Sequence, residues 1–263
     1  DELGIPMDRI TVRHGDTDVL SEGVGTFGSR SLQLGGTAVH NAAIEVKDLA
    51  RELAAEEMEA DPADLVLDID SGTWNVRGVP GRGVGWARVA ERAGPDGLSA
   101  STTFSTPQST FPFGAHVAVV EVDTETGRAR LVRHVTVDDA GPVLNPVLAE
   151  GQRHGGIAQG AAQALFEEMS YDEYGNPVTA SFMDYAFPSA AELPSFELVA
   201  METPTTVNPL GVKGIGEAGT IGATPAVQNA VVDAVAHLGV RHIDMPAGPE
   251  RIWTAINEAR TAQ

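Results

Sequence analysis

Residues 114–139 read GAHVAVVEVDTETGRARLVRHVTVDD, two β-rich runs around Thr124, Glu125, Thr126 and Gly127. Short polar turn residues ending in Gly between two such runs are a strong hairpin signal. That pair commits this part of the chain to a sheet. Helical periodicity lies on either side of it. In TAVHNAAIEVKDLARELAAEEM, Ala38, Ala42, Val46, Leu49 and Leu53 recur at helical spacing, which predicts a helix over 37–58 that starts on a Gly-rich loop and stops at Asp61-Pro62. NPVLAEGQRHGGIAQGAAQALFEEM predicts a long helix whose small residues let a backbone or ligand come close. ATPAVQNAVVDAVAHLG predicts another, with Thr224 as N-cap, Pro225 at the first helical position and Gly239 after the last turn.

The shorter signals fill in an α+β chain. DRITVRHGD, with Ile10 and Val12, predicts a short strand. LVLDID and TWNVRG predict a hairpin across Ser71 and Gly72, GRGVGWARVAERAG a short helix, and FELVAM a strand. Residues 99–113 are Ser/Thr/Pro-rich without period. The expected architecture is two elongated mixed lobes, residues 1–105 and 106–263, joined near 100–113.

Charge then narrows the partners. Among 263 residues, Asp and Glu outnumber Lys and Arg 37 to 17, a formal charge of −20. Such a surface repels phosphate backbones and anionic lipid, which argues against nucleic acid or membrane partners. No apolar run approaches the ~20 residues of a membrane span. With no cysteine, the chain itself offers neither disulfides nor Fe–S ligation, in keeping with a cytoplasmic protein. Lys47 and Lys213 are its only lysines, a bias that fits a GC-rich genome or a salt-loving host. Opening at Asp1 without Met, the chain reads as a piece of something longer.

Generic motifs decide little. Residues 214–219 fit G-x-G-x-x-G, but the preceding ETPTTVNPLGVK carries two prolines unsuited to a central strand. A tight loop with positive φ and close packing is the plainer reading. His154-Gly155-Gly156 resembles a lipase oxyanion loop, yet no G-x-S-x-G follows. His40, His116, His134 and His237 lack metal-ligand spacing and read as core or surface polar residues. Asp138-Asp139 suits a carboxylate pair or, more commonly, a strand-ending turn. Glu217 stands among Gly214, Gly216, Ala218 and Gly219, none large enough to cover it. Such a bare loop brings a carboxylate and backbone N–H groups against whatever faces it. Glu217 is then either catalytic or paired with Lys213 as part of the loop.

Several longer segments occur in order: GTFGSRSLQLGGTAV, GAHVAVVEVDTETG, DDAGPVLNPVLAEGQRHGGIAQG and NPLGVKGIGEAGTIGATP. Together they resemble the carboxyl half of the molybdenum-binding large subunit of the xanthine dehydrogenase/aldehyde oxidase family, with a flavour of its carbon-monoxide-dehydrogenase-type branch. The resemblance implies oxidation of a carbon centre (an aldehyde, an N-heterocycle or CO) with water as oxygen source. It implies molybdenum–molybdopterin, in prokaryotes usually the cytosine dinucleotide form. Residue by residue, it places Glu217 on the active-site glutamate, Gln159 on the glutamine beside the molybdenum–pterin group, and Gly28, Ser29, Arg30 and Ser31 on a loop lining the cofactor. Arg30 then faces phosphate, or is an ordinary surface arginine. Implied partners are the upstream half of the large subunit, an Fe–S small subunit and an FAD medium subunit, arranged as a dimer of heterotrimers. The carbon-monoxide branch and a non-catalytic, cofactor-cradling fragment are the alternatives.

Overall fold

The computed structural model describes residues 2–20, 22–23, 25–79, 81–106 and 108–262. The chain divides into two compact units, Asp1–Phe27 with Ser31–Pro107, and Gly28–Arg30 with Gln108–Gln263.

In the first unit, α1 (Thr37–Met58) is preceded by a widened π-type turn over Ser31–Gly36, so helical winding begins before the glycine pair. Glu59, in the left-handed region at φ 51°, ends α1 by turning its N–H back to the carbonyls of Ala55 and Glu56. The buried stripe of α1 runs through Ala50, Ala54 and Ala55, while Leu49 is exposed. This corrects the expected face at Leu49, whereas Leu53 packs against the core as periodicity predicts. Alanines leave room for the bulk of Trp74 and Val89 in the same core, space that a leucine would fill.

β1 (Leu65–Asp68) and β2 (Thr73–Val76) form the expected antiparallel hairpin, Leu65 opposite Val76. Its turn is tightened by the Asp68 carboxylate, which accepts from Asp70 N–H (3.1 Å) and Ser71 Oγ (2.7 Å). A third strand, β3 (Gly83–Gly85), runs straight into α2 (Trp86–Ala93); three residues are too few to leave a sequence pattern. The strand expected at DRITVRHGD does not form. Met7–Arg9 is a 3₁₀ turn, and Ile10 and Val12 are exposed. Alternation makes a strand only with a neighbour to pair with, and no described strand pairs there.

The second unit is built on β4 (Phe113–Val122) and β5 (Ala129–Asp139), antiparallel from Phe113–Asp139 to Val122–Ala129. Gly127 closes the hairpin at φ 72°; a Cβ there would stand 2.0 Å from Pro249 O, so only glycine fits. α3 (Pro146–Leu165) follows, with Asn145 Oδ1 accepting Leu148 N–H (3.1 Å) and Pro146 in the first turn. The chain then returns as β6 (Phe196–Met201), parallel to β5, giving the sheet order β4-β5-β6. Parallel pairing needs such a crossover.

α4 (Ala218–Val235) and α5 (Pro249–Thr261) complete the unit. Their Val227, Val231, Val235, Ile252 and Ile256 close a core with Leu131, Ala161 and Ile243. The expected cap at Thr224 and first-turn place for Pro225 are both corrected. α4 starts at Ala218, and Pro225 lies inside it. Thr224 Oγ1 instead donates back to Thr220 O (3.1 Å). The capping signal failed because Gly219 and Gly222 look like loop but are helical for packing reasons.

Candidate functional site

Where α3 crosses α4, glycines set the distance. A Cβ on Gly219 would lie 2.7 Å from Ile157 N and 2.8 Å from Arg153 O, and one on Gly156 would lie 3.1 Å from Gly219 Cα. On Gly222 it would strike the His116 ring at 2.4 Å. Neither Gly216 nor Gly219 has positive φ. These glycines are required by close approach, not by left-handed turning.

The crossing fixes the first turn of α4, and hence Glu217 at its N-cap. The carboxylate is exposed and makes no capping bond to its own helix. It accepts a 2.7 Å hydrogen bond from Ser29 Oγ, which in turn accepts the Glu217 N–H at 3.0 Å. Negative charge at a helix N-terminus is favoured by the helix dipole. Gln152 Nε2 donates to Gly216 O (2.9 Å), tying the loop to α3. One turn on, Thr220 Oγ1 reaches Gly156 O (3.0 Å) and Gln159 Oε1 (3.1 Å). Thus Ser29, Gln159 and Glu217 share one neighbourhood within the second unit. Gly28 and Arg30 belong to that unit too. Ser31 is counted with the first unit, its Oγ 3.0 Å from Thr26 Oγ1.

Lys213 does not pair with Glu217. Buried to 7% exposure, its Nζ lies 3.0 Å from Asp139 Oδ1, and its N–H donates to Ala140 O (2.7 Å). The Asp138-Asp139 pair is therefore not a shared-proton dyad, because each carboxylate has its own cation. Burial alone would raise Asp138, but hydrogen bonds from His116, Thr136 and Arg153 bring it to about 2. Burial opposes ionisation of Asp139 as well, and donors from Thr203, Gly141 and Lys213 hold it further below the ordinary range. His116 and His134 are core polar residues as expected, 3.1 Å apart through Nδ1 and Nε2. Burial first, then neighbouring His116, lowers His134 to about 4. Among the described residues, no cluster of three His, Cys, Asp or Glu could hold a metal.

A cleft of about 810 Å³ at the far end of α3, lined by Phe166, Glu168, Pro246 and Arg251, contains none of the singled-out residues. Among the described residues no helix is long and apolar enough to cross a membrane.

The sequence pattern of the molybdopterin cofactor-binding domain matches residues 1–194. The chain belongs to that family. It is similar to the carbon monoxide dehydrogenase large chain of Afipia carboxidovorans, 39% identical over 96% of this chain and 32% of that protein. It is also similar to the 6-hydroxypseudooxynicotine dehydrogenase complex subunit gamma of Paenarthrobacter nicotinovorans, 38% identical over 97% of this chain and 33% of that one. Among solved structures, reconstituted CO dehydrogenase from Oligotropha carboxidovorans superposes with a TM-score of 0.90 at 38% identity, covering 100% of this chain and 33% of its own. The molybdopterin-binding fold is thus an α+β one of the large-subunit type. The chain spans about a third of the length of the curated relatives it matches, rather than the half expected.

Proposed function

We propose that this chain forms the part of a molybdenum hydroxylase large subunit that supplies the general base, Glu217. The supporting observation is the exposed Glu217 carboxylate, fixed on a glycine-bounded helix start, with Gln159 bonded to Thr220 one turn on. The neighbourhood fits molybdopterin. A Cβ on Gly28 would meet nothing within 4 Å, and with φ 61° there the loop backbone lies bare to a bound group. Glu217 and Gln159 are likewise exposed. Such a set of hydrogen-bond donors and acceptors suits a cofactor that brings its own metal ligands.

When bound, the cofactor supplies a Lewis acid and a two-electron acceptor. Glu217 takes a proton from the oxygen nucleophile derived from water, a task for which the bare loop leaves it unobstructed. The Gln159 amide orients cofactor or nucleophile by hydrogen bonding. Residues 28–31 line the cofactor, with backbone N–H groups and Arg30 toward its phosphates, in the cytosine dinucleotide form. Lobes of residues 1–105 and 106–263 belong to the same reading. The remainder of the large subunit, an Fe–S subunit and an FAD subunit complete a cytoplasmic dimer of heterotrimers. The carbon centre oxidised is that of CO, an aldehyde or an N-heterocycle.

The test is co-expression with the upstream part of the large subunit and with the electron-transfer subunits. Molybdenum and cytosine-nucleotide content are then measured alongside turnover of CO, an aldehyde and an N-heterocycle. Cofactor loading with turnover of one class is expected. Full loading with no turnover of any would favour the cradle reading.

A further inference from the structure

We propose that Ser29 is a positioning residue for Glu217, a role beyond lining the cofactor. The inference rests on the reading of Glu217 as the base. One hydroxyl makes two bonds to the same residue: Oγ–H donates to Glu217 Oε2 at 2.7 Å and Oγ accepts the Glu217 N–H at 3.0 Å. The carboxylate is thereby pinned against its own backbone, although glutamate has three side-chain torsions to wander through. Oε2 carries the Ser29 bond and Oε1 does not, so the two oxygens are no longer equivalent. The N–H that Ser29 accepts belongs to the N-cap residue, a place where the Glu217 side chain itself makes no capping bond.

Two further features hold this contact in place. Ser29 lies at φ 53°, in the left-handed region that non-glycine residues enter only at a cost, directly after Gly28 at φ 61°. Conformations of that kind persist where the surroundings over-determine them, and they gather at functional sites. On the other side, a Cβ on Gly216 would come within 3.2 Å of Ser29 Oγ. The bare glycine before Glu217 is what lets the hydroxyl in. Ser29 and Glu217 stand 188 positions apart in sequence, so nothing local in the chain forces them to meet.

The test uses the assembled holoenzyme with Ser29→Gly, which removes the hydroxyl while glycine accepts φ 53° without strain, and Ser29→Ala as a second deletion. Each is made alone and in the Glu217→Gln background. Molybdenum content, kcat, KM and a crystal structure are the readouts. In both deletions kcat should fall about 10- to 100-fold, the scale of a misplaced catalytic group. KM and molybdenum content should stay near wild type, and the Glu217 carboxylate should leave its single position. Neither deletion should lower the residual rate of Glu217→Gln any further. Molybdenum loss in proportion to activity would overturn the proposal by making Ser29 a cofactor ligand. A full additional loss in the Glu217→Gln background, or an unmoved carboxylate, would do the same. Wild-type turnover of Glu217→Gln by itself would instead strike down the base assignment, and this proposal with it.

Discussion

Gly219→Ala opposes two effects of known size. Alanine in place of glycine favours a helix by about 1 kcal/mol at most. Against that, the new Cβ would sit 2.7 Å from Ile157 N, 2.8 Å from Arg153 O and 2.9 Å from Gly156 C. All three are backbone atoms of α3, which cannot rotate away as a side chain can. Reaching ordinary contact near 3.4 Å requires the helices to part by about 0.7 Å, and overpacking of this kind costs about 1–3 kcal/mol. Three backbone contacts under 3 Å put the clash at the upper end, about 2–3 kcal/mol, so it wins with a net loss of about 1–2 kcal/mol. For a unit of this size, that lowers the melting temperature by roughly 2–8 °C. Gly155→Ala is the control, on the facing helix α3 with nothing within 4 Å of the new Cβ; it should gain about 0.5–1 kcal/mol. Thermal and urea denaturation of the two variants side by side decide the matter. A Gly219→Ala protein as stable as wild type, or a Gly155→Ala protein less stable, would refute the close-crossing argument.

Three further outcomes follow from the buried charges and the surface. Lys213→Met should cost about 3 kcal/mol in urea denaturation, the low end for breaking a buried pair, because Gly141 and Thr203 still donate to Asp139; adding Asp139→Asn should recover part of the loss. Between pH 6.5 and 4 stability should decline as the unfolded chain takes up the proton that buried His134 refuses, then decline again from about 4 to 2 through Asp138, whose pKa is lowered in the folded state; melting curves across pH should show the first step vanish in His134→Asn. With a formal charge of −20, screening of self-repulsion by molar salt should raise the melting temperature, and a flat response would return the composition to genome bias.

The hairpin over β4 and β5 was legible because alternation, turn residues and glycine agree locally, and α3 because Asn145 and Pro146 mark its start. α4 was misplaced by seven residues because its start is chosen by what packs against it, glycine at 219 against α3 and at 222 against His116 of β4, and not by its own capping preference. The N-terminal alternation at Ile10 and Val12 had no way to announce the lack of a partner strand. Glu217 was legible from its bare glycine loop, Gln159 only through the resemblance; Thr220, one turn on from Glu217, holds Gln159, a link no single-sequence pattern contains. Lys213 illustrates a signal that was available. With only two lysines in a chain of −20 charge, one beside two prolines and a glycine loop invites a buried carboxylate partner, and adjacent Asp138-Asp139 offered it. The Glu217 pairing, one of the two alternatives, does not form: Lys213 is buried against Asp139, while the Glu217 carboxylate is exposed and bonded to Ser29.

The base assignment stands or falls on Glu217→Gln in the assembled enzyme, with molybdenum content measured on the same preparation and Gln159→Ala beside it. Gln keeps the shape of Glu and can still accept from Ser29, so cofactor loading and melting temperature should match wild type. Turnover should fall by about 10²–10⁴-fold, the usual contribution of a general base, whereas Gln159→Ala should lose molybdenum as well as rate. Near-wild-type turnover of Glu217→Gln at full molybdenum loading would contradict the account.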